Sequence, residues 1–216
     1  MRMIRTRISH INVAKWFPAN DPIAVSIARL CVLREDLYLE LRGMVKEPIP
    51  TLDECSDDWR TIYFFRNSVR TLLEIRGAVE TLKARKVFTL ALGRQPDPLS
   101  KTLDDLAGAL DKAHALIKKL RNEVAGHLPH EAIEEALRQI APETKGLLQI
   151  GGNAKEIHYK FALEFLGATM LRHVVNKDAE KEWNKILKTT LQLGFKAIRS
   201  IDMLFVAYSR VKKLSF

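Results

Sequence analysis

The chain predicts an all-α helical bundle, and three observations carry that prediction. Leu99, Leu103, Leu106, Leu110, Ala113, Ile117, Leu120 and Val124 recur in alternating steps of four and three, the spacing of a bundle seam. Leu, Ala, Lys, Glu and Arg are abundant, while the 10 Gly and 8 Pro of 216 residues gather at a few points. That distribution favours long helices over the regularly spaced turns of an all-β protein. No strand alternation, solenoid repeat or low-complexity segment interrupts the pattern. With 47% hydrophobic residues, a chain of this length can bury one substantial core. The expected organisation is five to six helices in a single domain over residues 21–216, preceded by a basic N-terminal arm over 1–20.

The arm carries Arg2, Arg5, Arg7 and Lys15 and no acid. It lacks the continuous apolar stretch of a secretory signal and reads as a basic arm or a tucked extension. Asn20-Asp21-Pro22 then opens the first helix, with an N-cap carboxylate followed by Pro at the first helical position. Ile23, Ile27, Leu30, Leu37 and Leu41 share one face, widened by Cys31 and Leu33. This helix should end near Arg42-Gly43, before Pro48-Ile49-Pro50 forbids continuation.

Ser56-Asp57-Asp58 reads as the cap of a second helix running to about Lys86, with Trp59, Ile62, Phe65, Val69, Leu72, Leu73, Val79 and Leu82 as its apolar stripe. Gly93-Arg94-Gln95-Pro96-Asp97-Pro98 is the return loop, and the leucine-spaced third helix follows. A short fourth helix spans roughly 130–140 between Pro129 and Pro142. Gly151-Gly152-Asn153 precedes a fifth containing Ile157, Phe161, Phe165, Ala168 and Leu171. Asn176-Lys177-Asp178 precedes a last long helix over about 179–213, whose core face holds Trp183, Ile186, Leu187, Leu191, Ala197, Ile198, Ile201, Phe205 and Tyr208.

Composition also excludes several function classes. No apolar run reaches the roughly 18 residues of a membrane span. Cys31 and Cys55 stand alone, without CxxC or Cys/His spacing, so neither a zinc site nor a disulfide framework is implied, and a reduced cytoplasmic setting is expected. Nor does any carboxylate or His cluster point to a catalytic metal, and no cofactor is expected. Lys plus Arg exceed Asp plus Glu by 35 − 26, giving a net charge of +9. That balance favours polyanions through counterion release and makes nucleic acid the natural partner class; a solvated basic surface explains the same distributed charge.

One segment reads as chemistry. Arg121-Asn122-Glu123-Val124-Ala125-Gly126-His127 closes the third helix, and it resembles the active-site motif of the HEPN superfamily: Arg, four to six residues, then His, often with a polar residue after the Arg. In an uninterrupted helix the two side chains would point about 120° apart. Gly126 and Pro129 predict an end to the helix, after which His127 swings back towards Arg121. Arg supplies a permanent forked charge for phosphoryl oxygens, and imidazole moves protons near neutrality. The resemblance implies a metal-independent endoribonuclease with Arg121, His127 and Asn122 as catalytic residues and Lys118 and Lys119 holding flanking phosphates. It further implies a homodimer in which the two motifs share one groove, a toxin or phage-defence role, and a separate antitoxin chain if there is one. Two other readings of the same residues stay open. Arg121 and His127 are also what caps a helix C-terminus, and the bundle can be a non-catalytic module that binds RNA or a protein partner. His114 shares the Arg121 side of the helix and reads as a surface residue, Arg66-Asn67 echoes Arg121-Asn122 without a following His, Glu74 is a candidate buried partner for a basic residue, and Arg5 and His10 repeat the bare spacing without a helix end.

Overall fold

The computed structural model describes residues 10–45, 54–125, 130–140, 143, 145, 148–150, 157–158, 162–171 and 178–214. The described residues form an all-α bundle with eight α-helices: α1 (Val13–Trp16), α2 (Pro22–Val45), α3 (Glu54–Lys83), α4 (Lys86–Gly93), α5 (Thr102–Leu120), α6 (His130–Gln139), α7 (Ala162–Leu171) and α8 (Ala179–Val211). A 3₁₀ turn, Leu99–Lys101, leads into α5, and a π-helical turn, Arg121–Ala125, leaves it. None of the helices among the described residues is long and apolar enough to cross a membrane.

Asp21 opens α2 as its sequence context predicts, Oδ1 accepting from the backbone N–H of Ile23 (2.9 Å) and Ala24 (3.3 Å). The helix then runs past Gly43 to Val45, so Gly43 is not the stop the sequence suggested. A Cβ there would lie 2.5 Å from the Phe64 ring; the glycine marks a close approach of α3, not a helix end. Gly194 plays the same part on α8, where a Cβ would meet Leu41 at 2.7 Å.

Ion pairs fix how the helices run against one another. Lys83 on α3 meets Asp104 on α5 at 3.0 Å, and seven residues away in opposite senses Arg76 meets Asp111 at 3.1 Å, so α3 and α5 are antiparallel. Arg34 reaches Asp202 (3.0 Å) on α8 while Gly194 packs on Leu41, which makes α2 and α8 antiparallel too. The core lies among these four helices. Leu30, Leu37 and Leu41 of α2, Phe65, Leu72 and Leu82 of α3, and Ala197, Ile201, Leu204 and Tyr208 of α8 are buried around Leu103, Leu106, Leu110, Ile117 and Leu120 of α5.

The last part of the N-terminal region is docked. Trp16 is buried and stacks on Phe205 (centroids 5.5 Å), Phe17 stacks on Tyr208 (6.0 Å), and the buried Tyr208 hydroxyl donates to the Trp16 carbonyl. Lys212 pairs with Asp21, so the start of α2 and the end of α8 are tied together.

Three elements depart from the sequence expectation. α3 begins at Glu54, with Ser56-Asp57-Asp58 inside it rather than capping it, and ends at Lys83. The separate helix α4 comes after a turn at Ala84-Arg85 that contains neither Gly nor Pro to announce it; Phe88 and Leu92, four apart, are its buried face. The expected fifth helix begins only at Ala162, because Ile157 lies in a two-residue antiparallel pair, Gln149 opposite His158 and Ile150 opposite Ile157. Strands that short show no alternation in sequence. Pro48-Ile49-Pro50, Gly151-Gly152-Asn153, Phe161 and Asn176-Lys177 lie outside the described residues.

Truncating Leu110 or Ile117 to Ala should lower unfolding free energy by roughly 2–5 kcal/mol, the usual cost of a buried large-to-small change, measurable by urea denaturation. Burial alone would raise the Asp21 pKa, but its bonds to Lys212 and to the Ile23 and Ala24 amides outweigh this and hold it below the ordinary carboxylate range. Its contribution is therefore present above that range and lost as pH falls through the depressed value. Asp21→Ala should cost about 0.5–2 kcal/mol near neutrality, and Asp21→Asn, which keeps the cap, should cost less while flattening the acid limb of the pH–stability curve.

Candidate functional site

The register of α3 against α5 places Arg121. Ten residues beyond the Arg76–Asp111 pair on each helix, Arg121 falls level with Arg66-Asn67. It also continues the row Leu103, Leu110 and His114, spaced seven and four, and lies seven residues past His114. Its side chain thus leaves α5 on the side that faces α2 and α3. There it is exposed and lines a cleft of about 420 Å³ with Leu33, Asp36 and Glu40 of α2 and Asn67, Arg70, Thr71, Leu73 and Glu74 of α3.

The π-helical turn Arg121–Ala125 changes the helical phase past Leu120. It holds one residue more per hydrogen-bonded repeat than an α-turn, and Ala125, five residues after the buried Leu120, is buried as well. The 120° separation expected between Arg121 and His127 in an uninterrupted α-helix therefore does not apply beyond Leu120. Such turns occur frequently at functional sites.

Of the sequence-predicted residues, Arg121 and Asn122 are adjacent and exposed, and the Arg121 guanidinium donates to Asn122 Oδ1 at 3.3 Å. Asn122 thus orients the arginine. His127, with Gly126, Leu128 and Pro129, lies outside the described residues, as do the Glu123 and Val124 side chains. Lys118 and Lys119 are exposed on the last turn of α5, and neither lines the cleft. Lys119, two residues and about 200° from Arg121, projects to the far side of the helix. His114 is half-buried on α5, and His10 is exposed.

The cleft adds residues that the motif did not point to. Thr71 Oγ1 donates to Glu40 Oε1 at 2.8 Å, whereas Glu40 Oε2 is buried without a hydrogen-bond partner. Burial pushes the Glu40 carboxyl upward and the Asp36 charge adds to this, against the opposing effects of Thr71 and Arg70. Glu74 accepts from Arg29, so the basic partner expected for it exists, across the α2–α3 interface rather than in the core. Burial and the nearby Arg70 charge lower the Arg66 pKa. Arg70 and Arg121 bring positive charge to the cleft, and Asp36 and Glu40 of α2 and Glu74 of α3 bring carboxylates. Asn67 was visible in the sequence only as an echo of Asn122; Glu40 and Arg70 carry no spacing signal, because they join the site only when α2 packs on α3.

Among the described residues no group of three His, Cys, Asp or Glu could hold a metal ion. Burial, with Asp202 and Glu35 adding to it, pushes the Cys31 thiol up to about 11, so it stays protonated and a poor nucleophile at neutral pH. Comparison with known proteins returns no match to a family model, to a curated protein or to a solved structure.

Because folding raises the Glu40 pKa, the folded chain holds that proton more tightly than the unfolded one. The resulting stabilisation is present below the ordinary carboxylate range and is lost as pH rises through the folded value. Glu40→Gln keeps an acceptor for Thr71 and removes the buried charge. It should be more stable than the parent chain at about pH 8 and no more stable at about pH 4, by less than about 1 kcal/mol given solvent screening of a half-exposed group. Paired urea titrations at the two pH values measure this.

Proposed function

We propose that the chain is a metal-independent endoribonuclease of the HEPN type, acting through Arg121 and His127. The observation that carries the reading is the exposed Arg121-Asn122 pair on a π-helical turn, with Arg121 at a polar cleft that Asn67 and Arg70 of α3 also line. In this mechanism the scissile phosphate sits against Arg121, whose forked donors neutralise the charge that grows on the phosphoryl oxygens. Asn122 holds the guanidinium in place. His127 moves the proton to or from the reacting oxygen. Lys118 lies one turn before Arg121 and binds a flanking phosphate; Lys119 serves RNA only along the outer face of α5. The net charge of +9 draws the polyanion in from a distance.

By the same resemblance, a second copy supplies the other half of the acid/base apparatus, and the physiological setting is a toxin or phage-defence effector with any antitoxin on a separate chain. A second reading has its own observation. Asp36, Glu40 and Glu74 line the cleft and oppose a phosphate inside it, which favours a non-catalytic module that binds RNA on its outer basic surface or takes a protein partner.

Incubation of the pure protein with total RNA in EDTA separates the two. The nuclease reading expects cleavage, with Arg121→Ala and His127→Ala each lowering it by about 10²-fold or more at nearly unchanged stability. Lys118→Ala should weaken RNA binding and reduce its salt dependence while leaving the cleavage step largely intact. Retained RNA binding without cleavage, with or without divalent metal, or an alanine pair as active as the parent, would overturn the enzyme and leave the module.

A further inference from the structure

Helix α8 carries its positive charge on one side. Lys181, Lys185, Lys188, Lys196 and Arg199 are exposed, and on a helical wheel they fall within an arc of about 80°, on the side away from the buried Ile186, Ala197, Ile201 and Tyr208. Between Trp183 and Arg210 the helix holds a single acid, Asp202, and Arg34 of α2 already neutralises it at 3.0 Å. Glu182 lies off the stripe and reaches Lys185 loosely, at 3.5 Å. Lys181, Lys188, Lys196 and Arg199 have no ion-pair partner among the described residues. A face that needed only to be solvated could mix signs, as α6 does where Arg138 meets Glu134 and Glu135. Here Lys181 and Lys185, Lys185 and Lys188, and Lys196 and Arg199 stand three or four positions apart, where like charges weaken a helix. The stripe is built for a polyanion, and it runs about 27 Å from Lys181 to Arg199.

An aromatic ring within the stripe narrows the partner. Phe195 is 55% exposed and on the same wheel falls beside Lys188 and Arg199, next in sequence to Lys196, with the exposed Gln192 one turn before it. A lone exposed apolar residue is ordinary. A ring set among unpaired cations is the arrangement that holds single-stranded nucleic acid, because the cations follow the phosphates while the ring stacks on a base. A duplex keeps its bases stacked on one another and offers such a ring nothing. An anionic bilayer fits less well, since a helix lying on a membrane turns its apolar face to the lipid, and the apolar face of α8 is in the core. We propose that the outer face of α8 is a track for single-stranded RNA, with Lys181, Lys188, Lys196 and Arg199 on backbone phosphates and Phe195 stacked on a base between them. None of these residues lines the cleft that holds Arg121, so the track is a second contact with the strand. That the polymer is RNA rests on the reading above; that this face binds it does not depend on cleavage.

Fluorescence anisotropy with a labelled 2′-O-methyl oligouridine tests the track on a strand that has no free 2′-OH and stays intact whether or not the chain is a nuclease. Lys188→Gln combined with Lys196→Gln should weaken binding and flatten its salt dependence, by about 0.7 in the log–log slope for each cation removed. Phe195→Ala should weaken binding about 5-fold or more without changing that slope, and should leave binding to duplex RNA of the same length unaltered. Lys86→Gln combined with Lys112→Gln, the same loss of charge from exposed positions of α4 and α5, should have a much smaller effect. Every changed position is exposed, so the melting temperatures should match that of the parent chain. Three results overturn the track: parental binding by the Lys188→Gln, Lys196→Gln chain, an equal loss in the charge-matched control, or parental affinity in Phe195→Ala, which would leave a face that an acidic protein satisfies as well. A parent chain that cleaves RNA but does not bind the oligouridine also overturns it, and leaves the nuclease reading standing. Failure of the nuclease reading shows separately, as total RNA left uncut while the oligouridine binds and responds to these changes, a result that keeps the track.

Discussion

Burial of the α5 leucine row between α3 and α8 sets the rotation of α5, and through it the position of everything that resembles a site. Leu103, Leu106, Leu110, Ile117 and Leu120 have to face inward, and the Lys83–Asp104 and Arg76–Asp111 pairs fix the slide of α5 along α3. With rotation and slide both fixed, Arg121 has one place to go. It extends the inward row, so its charge meets the polar residues of α2 and α3 that line the cleft rather than bulk solvent alone. The π-helical turn lets Ala125 continue into the core after an exposed arginine and asparagine.

That dependence explains which parts of the molecule were legible in the sequence. The leucine row, the Asp21 cap and the extent of α8 are local signals, each contained within a few helical turns, and the structure keeps them. The break between α3 and α4 left no signal because Ala84 and Arg85 are ordinary helix residues, and the chain turns there to bury Phe88 and Leu92 instead of continuing α3. Gly43 misled for the opposite reason. Glycine weakens a helix on its own, but here the missing side chain admits the Phe64 ring, a tertiary demand no local rule contains. Likewise Arg121 and Asn122 could be read from a motif, whereas Glu40, Asn67 and Arg70 are brought beside them only by the packing of α2 on α3.

The electrostatics of the cleft derive from the same packing. Two helices that meet antiparallel bring their polar flanks together along one groove, and here both flanks carry both signs, with Arg29, Asp36 and Glu40 on α2 and Arg70 and Glu74 on α3. Arg29 and Glu74 satisfy each other across it, and Thr71 satisfies one oxygen of Glu40. The other Glu40 oxygen is left without a donor, an arrangement that costs folding energy unless the group carries a proton. With Asp36, Glu40 and Glu74 along the cleft, the net positive charge of the whole chain does not by itself describe what the cleft prefers to hold.

Exposed apolar residues are spread over several helices rather than confined to one face: Val25, Val32 and Leu39 of α2, Tyr63 of α3, Val87 and Leu90 of α4 and Phe195 of α8 are all half or more exposed. Singly placed apolar residues are normal on a protein surface, and the inner face of α2 supplies the core contacts with Leu30, Leu37 and Leu41. What distinguishes the cleft side of α2 is charge, because Asp36 and Glu40 line the cleft with Arg70 and Arg121, and the Asp36 charge adds to the burial that raises the Glu40 carboxyl.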